Sequence, residues 1–201
     1  MILSINPNHP EPRKVRRVVE ALAAGEVIAY PTDTVYALGC DLTNKHAIDR
    51  LCQIKGIDRS HPLAFVCPDL SDIARYAIVD NQNYRILKRM LPGPYCFVLE
   101  ATRETPKLVQ TKRKTIGIRI PNHEVILHIV RELGRPVIST AAQRPGEDLH
   151  VDPHEIDVAF KGLGVVVDTG GGGVSHTTVV DLTKNPPEIV REGAGDISEF
   201  I

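Results

Sequence analysis

The sequence predicts an α/β fold: one mixed sheet with helices packed on it. Three observations carry this. Through the first two thirds of the chain, segments with helical apolar spacing, several of them closed by a glycine, alternate with short apolar runs. In the last third the apolar runs follow one another with little helix between them, so the sheet is mixed rather than purely parallel. No Pro/Gly/Ser-rich linker divides the 201 residues, which suit one large domain over residues 1–201.

Taken in order, residues 12–24 put Val15, Val18, Val19 and Leu22 on one helical face, and Gly25 supplies the left-handed residue that follows a helix end. Residues 27–30, VIAY, read as a strand. Residues 44–56 form a second helix: Asn44 caps it, Ala47, Ile48, Leu51, Cys52 and Ile54 make its apolar side, and Gly56 stops it. Residues 63–67 are a short buried strand. Residues 69–77 and 80–91 are helices, the second ending at Pro92-Gly93-Pro94. Strands are expected at 95–102 and 115–121, then a helix over 122–134 stopped by Gly134. A strand at 136–140, a short helix at 152–162 and a strand at 163–169 follow; strands at 177–183 and 188–193 close the chain. The tract Gly170–Gly173 is a loop inside the domain.

Composition bounds the function classes. A formal net charge of -1 gives no global basic field for nucleic acid. Two local clusters, RKVRR at 13–17 and TKRKT at 111–115, are solvated faces unless they share one side of the molecule, where they would meet RNA phosphates. The absence of Trp weighs against a stacking platform for single-stranded nucleic acid. Cys40, Cys52, Cys67 and Cys96 all lie in the first half without a C-x-x-C pair, as expected of thiols in a reducing cytosol. The N-terminal residues lack a signal-peptide core, and no stretch approaches the roughly 18 apolar residues of a membrane span. The expected location is the cytoplasm, with no membrane partner. The eight histidines are scattered without metal-ligand spacing, and no nucleophile elbow is present, so no protein-held metal is expected.

Chemistry is expected where apolar strands end in polar residues, because open α/β sheets bind ligands there. Three ends stand out: Pro31-Thr32-Asp33-Thr34; Arg119 just before Pro121; and Ser139, Thr140 and Gln143 after an apolar run. Hydroxyls donate and accept without carrying charge, which suits a zwitterionic or phosphorylated small ligand. Arg119 would clamp a carboxylate or phosphate. Any one hydroxyl alone is equally well a cap on a strand or helix end; three such ends together point to a pocket. Lys55 at a helix C-terminus, with Arg59 and His61 after it, fits either the helix dipole or a grip on phosphates. The glycine loop lacks the pattern G-x-x-x-x-G-K-[ST] and no helix follows, so it is no Walker A loop but a flexible flap. His176 beside Thr177 is a candidate base or a solvated loop residue.

Almost the whole chain takes part in a resemblance. YPTDTVYALG, KGIDRSHPLAF, LPGPYCFVLEAT, TIGIRIPNH, PVISTAAQ, TTVVDLT and VREGAGDI occur in the order and spacing of the YrdC/Sua5/YciO family, with details nearest the YciO branch. The resemblance implies a YrdC-like fold, twisted, with a concave basic cavity. Family members are L-threonylcarbamoyladenylate synthases, nucleotidyltransferases that join L-threonine, bicarbonate and ATP and release pyrophosphate. Their product feeds threonylcarbamoyladenosine modification of tRNA. By this resemblance Thr34, Arg119 and Thr177 bind L-threonine. Lys55, Arg59, Ser139, Thr140, Gln143 and Arg191 bind ATP, and Lys55 and Arg119 are catalytic. Mg²⁺ enters with ATP, held by phosphates.

The chain departs from the family in two motifs, at three of their four key positions. The family's K-x-R reads Lys55-Gly56-Ile57, and its S-x-N reads Ala141-Ala142-Gln143. Losing an arginine at a triphosphate removes a charge-assisted contact, on the order of 2–3 kcal/mol, or about two powers of ten. The resemblance therefore leaves two expectations: a synthase weakened by the altered tetrad, or a protein of the same fold that binds double-stranded RNA or tRNA without synthase activity.

Overall fold

Helix ends follow the chemistry of their terminal residues. In the computed structural model, which describes residues 1–200, Asn44 accepts the amide of Ala47 at 3.0 Å and starts helix α2 (Lys45–Lys55). Gly56 ends it in the left-handed region at φ 76°, open to glycine without steric cost. Asp69, Asp80 and Asp152 cap α3 (Leu70–Tyr76), α4 (Asn81–Met90) and α6 (Pro153–Ala159) in the same way. Helices α1 (Pro12–Ala23) and α5 (Glu124–Leu133) complete the set among the described residues, and Gly134 ends α5 with φ 71°.

Among the described residues ten strands make one sheet: β1 (Ile2–Ser4), β2 (Ile28–Tyr30), β3 (Ala37–Asp41), β4 (Ala64–Val66), β5 (Tyr95–Glu100), β6 (Thr115–Arg119), β7 (Val137–Ala141), β8 (Val165–Asp168), β9 (Thr178–Asp181) and β10 (Glu188–Arg191). Their spatial order is β1-β8-β2-β3-β7-β4-β6-β5-β9-β10. The pairs β1–β8, β2–β8, β4–β6 and β5–β9 are parallel and the remaining pairs antiparallel, so the sheet is mixed, as expected. Every helix and strand read from the sequence is present. Two strands were not foreseen. β1 is only three residues long, and β3 reads ALGCD, in which Ala, Gly and Asp are poor strand formers. Burial makes β3 a strand: it pairs on both sides, with β2 and β7, and all five residues are buried. Gly39 leaves room there, since a Cβ would come within 2.6 Å of Val137 and 2.8 Å of Tyr30.

The two faces of the sheet differ. On one, Leu38, Phe65, Ile118, Phe97 and Val180 form a continuous core with residues of α2, α3, α4 and α6. On the other, Ile28, Tyr30, Val66, Val137 and Val165 pack against α1 and α5. This second cover stops short. Over β6, β5 and β9 the residues of that face, Gly117, Cys96, Val98 and Val179, stay half-exposed. Alternation puts Arg119 on this face, one step beyond Ile118 and level with Cys96. Cys96 pairs with Val179 and Val179 with Arg191. Two arginines thus flank one half-open shelf.

Candidate functional site

The segment after β2 is organised by its own hydroxyls. Thr32 Oγ1 accepts the amide of Thr34 at 3.0 Å and donates to the carbonyl of Val35 at 2.8 Å. Its hydroxyl lies 3.0 Å from that of Thr34, which lies 3.4 Å from that of Thr177. Arg119 reaches over from β6: one terminal nitrogen donates to Thr34 Oγ1 at 3.2 Å and to Asp33 Oδ1 at 2.9 Å. The second oxygen of Asp33 accepts the amide of Asn122 at 2.9 Å. The pair is almost sealed, with side chains 8% and 11% exposed. Yet Nε of Arg119 is buried without a hydrogen-bond partner among the described residues. An unpaired buried donor is costly, and such groups call for an explanation.

The glycine loop lies against this cluster. A Cβ on Gly173 would sit 1.9 Å from the carbonyl oxygen of Thr34, and one on Gly172 2.5 Å from the ring of Tyr36. The loop was expected as a flap; the structure adds that its glycines are what permit the close approach. On the far side Thr178, fully buried, accepts the amides of Gly193 and Gly195 and donates to the carbonyl of Gly195. This hub holds β10 so that Arg191 donates twice to the carbonyl of Thr177, at 3.1 and 2.8 Å.

Lys55 is 5% exposed, and its ammonium donates to the carbonyl of Ala141 at 2.6 Å. Burial, helped by the positive field of Arg191, pulls its pKa down to about 8. Burial and then Lys55 lower His61; burial, Arg191 and Lys55 lower His176. Arg119 and Arg191 both act on the thiol of Cys96, consistent with its place on the shelf between them, although burial dominates and raises it.

The structure therefore brings Thr34, Arg119, Thr177 and Arg191 into one hydrogen-bonded neighbourhood, with Lys55 in the positive field of Arg191. The others take separate places. Ser139 accepts the phenol of Tyr30 at 2.6 Å. Thr140, next along β7, points to the opposite face, on the side of Leu38 and α2. Gln143 donates to the carbonyl of Glu147 at 2.6 Å and folds its own loop. Arg59 pairs with Asp49 of α2 and is 52% exposed; it does not sit free beside Lys55 as an arginine in register would. Asp33 was visible in the sequence only as part of a polar strand end. Its partnership with Arg119 spans 86 residues and carried no local signal.

With this geometry in view, comparison with known proteins is direct. The Sua5/YciO/YrdC family, described as telomere recombination, matches residues 20–193. An uncharacterised Escherichia coli K12 protein, YciO, is 40% identical over 200 residues, 98% of this chain and 97% of YciO. The crystal structure of E. coli YciO superposes with a TM-score of 0.95 at 38% identity, covering 100% of this chain and 99% of that one. The threonylcarbamoyl-AMP synthase of Pyrococcus abyssi is 27% identical over 93% of this chain and 56% of its own length. The crystal structure of P. abyssi Sua5 complexed with L-threonine superposes with a TM-score of 0.92 at 27% identity, covering 99% of this chain and 59% of that one. No helix is long and apolar enough to cross a membrane among the described residues. The match over most of its length and the shared fold show that the chain belongs to the Sua5/YciO/YrdC family.

Proposed function

We propose that the protein forms L-threonylcarbamoyladenylate from L-threonine, bicarbonate and ATP, supplying threonylcarbamoyl modification of tRNA. The observation that carries this is Arg119: a buried guanidinium whose Nε has no hydrogen-bond partner among the described residues, next to the hydroxyls of Thr34 and Thr177. That arrangement suits an amino acid, with the guanidinium taking the carboxylate and the hydroxyls orienting the polar end. A relative of known fold binds L-threonine. Lys55 and Arg191 lie beyond Thr177 and suit the phosphates of ATP, with Ser139, Thr140, Gln143 and Arg59 as outer contacts. Mg²⁺ comes with the nucleotide. No covalent protein nucleophile is needed. The amine of threonine adds to CO₂ derived from bicarbonate, the amine proton leaves, and the resulting carbamate oxygen displaces pyrophosphate from the α-phosphorus. The chain's contribution is positioning and neutralisation of charge. The test is to incubate protein with labelled bicarbonate, threonine, ATP and Mg²⁺. A labelled adenylate is expected, reduced in Lys55→Ala; none above background at high protein concentration rules the reading out.

The altered tetrad, Ile57, Ala141 and Gln143 in place of the family residues, favours a second reading. In it the shelf between Arg119 and Arg191 takes the backbone of double-stranded RNA or tRNA without adenylate chemistry. RNA affinity should then fall steeply between two salt concentrations, and a flat response counts against it.

A further inference from the structure

Three strands meet at the open part of the shelf, and one hydrogen-bonded bridge crosses them. β5 lies between β6 and β9. Its residue Cys96 is level with Arg119 on one side and pairs with Val179 on the other. Thr177, two residues before Val179, falls on the same face. The hydroxyl of Thr34 stands between the two flanks: it accepts Arg119 at 3.2 Å and lies 3.4 Å from the hydroxyl of Thr177. The bridge Arg119–Thr34–Thr177 therefore spans β5, and at the level of Arg119 the side chain that β5 presents to the shelf is that of Cys96. Its thiol lies over Gly117 of β6. A Cβ on Gly117 would come within 2.9 Å of the sulfur, while its next neighbours, the Cα and Cβ of Ala64, are 3.7 Å away. Gly117 thus leaves the room that the thiol occupies. Cys96 is half-exposed, whereas Cys40, Cys52 and Cys67 are buried. A half-open thiol alone says little. Beside it, however, the guanidinium of Arg119 is buried and its Nε has no hydrogen-bond partner among the described residues. A buried donor left unpaired at the edge of an open floor calls for a ligand lying on that floor.

We infer that Cys96, seated on Gly117, is the floor of the amino-acid pocket and sets its selectivity, so that the carbon skeleton of the ligand rests on the thiol. This rests on the threonine reading above and deepens it by assigning the residue that reads the ligand's side chain. With its carboxylate at Arg119 and its polar end at Thr34 and Thr177, an amino acid lies across β5 and turns its apolar atoms to the sheet. A thiol is a small apolar surface with weak hydrogen-bonding capacity. It suits a methyl group and offers nothing to a charged or long polar side chain. A residue larger than cysteine here fills the floor, and a smaller one leaves the methyl of threonine without contact. Gly117 acts only through Cys96, by giving the sulfur its place.

Calorimetric titration with L-threonine and L-serine, which differ by one methyl group, tests this. The wild-type protein should bind threonine roughly tenfold more tightly than serine, the lower end of what such a group is worth in a fitted apolar pocket. In Cys96→Ala the preference should fall below about threefold. Gly117→Ala drives the thiol toward the ligand and should weaken threonine binding about tenfold. Gly117→Ala/Cys96→Ala should return to within about threefold of Cys96→Ala, a non-additivity that a damaged fold does not produce. Urea midpoints report whether each variant is folded; if Gly117→Ala is not, the preference measured in Cys96→Ala decides. Alkylation supplies a second readout. At about pH 8.5 iodoacetamide should label Cys96 ahead of the three buried thiols, and saturating threonine should slow that labelling at least about fivefold. A preference unchanged in Cys96→Ala, additive losses in the double variant, an unlabelled Cys96, or threonine bound without protecting it overturns the inference and leaves the threonine reading standing. No threonine binding by the wild type, with Cys96 still labelled, removes the threonine reading itself and the inference with it.

Discussion

Two arginine–aspartate pairs stand at opposite ends of β3, and they are built differently. Asp41, the last residue of the strand, is 3% exposed and takes both Nε and a terminal nitrogen of Arg135, the former at 2.8 Å, as well as the amide and hydroxyl of Thr43. Both partners' hydrogen-bonding is filled in a forked arrangement. Asp33, in the turn before the strand, meets Arg119 through one terminal nitrogen only and leaves Nε empty. The complete pair ties a loop to the sheet. The incomplete one keeps a donor in reserve in a nearly dry setting, as a recognition site requires. A buried ion pair is thus read by what it leaves unpaired.

The sharpest way to break the contrast is to remove each arginine or its partner in turn. Arg119→Met keeps the volume and removes the charge. On the synthase reading it should lower adenylate formation about 100-fold, the worth of a charge-assisted contact of about 2–3 kcal/mol, with threonine affinity falling alongside. Steady-state assay and threonine titration check it. A loss of under fivefold would mean that the unpaired Nε has no ligand.

Asp41→Ala should act on stability instead. Breaking a pair in which Arg135 is still one-third exposed should cost about 2 kcal/mol, less than for a fully buried pair, seen as a lower urea midpoint at unchanged slope. Burial raises the Asp41 carboxyl, but bonds from Arg135 and Thr43 outweigh it and hold the group below its ordinary value. A depressed folded pKa contributes stability above the unfolded value and loses it as pH falls through the folded one. The variant should therefore show a flatter loss of stability in acid than the wild type. At pH 7 threonine affinity should stay within twofold of wild type in the folded fraction.

How legible these pairs were differs too. Thr34 and Arg119 announced themselves as polar residues ending apolar runs, and α2 was written in full by Asn44, its apolar stripe and Gly56. Asp33 and Asp41 were not, because each gains its meaning from a partner 86 or 94 residues away. β3 escaped for the same reason: its composition says little, and its neighbours say everything. The glycine loop lies between these cases. That it is a glycine loop could be read, but not that Gly173 lies against Thr34. Gly173→Ala would push a methyl into the carbonyl of Thr34, and overpacking of this kind costs about 1–3 kcal/mol. The exposed loop can yield, so we expect a stability change under about 1 kcal/mol but roughly tenfold weaker threonine binding as Thr34 shifts. Equal losses in both would place the loop with the core rather than the site.

The smallest effect is expected at Arg59, and it tests the contrast from its weak side. The resemblance makes this arginine an ATP contact, although it stands two residues after the position of the family's K-x-R arginine. In the structure its guanidinium pairs with Asp49 and is half exposed. An exposed pair of this kind is worth roughly 0–1 kcal/mol, because water screens it and two long side chains must be held still. Arg59→Ala should thus shift the urea midpoint by an amount equivalent to under about 0.5 kcal/mol. If the charge at the nucleotide end comes from Lys55 and Arg191, the variant should change ATP affinity by less than threefold. A tenfold loss would show that the loop swings Arg59 inward when nucleotide binds, so that the pair with Asp49 is the resting position of a contact made only in the complex. The two outcomes differ in salt dependence as well. A resting surface pair weakens with added salt and leaves ATP affinity alone, whereas an arginine recruited to phosphate makes ATP binding itself steeper in salt than in the variant.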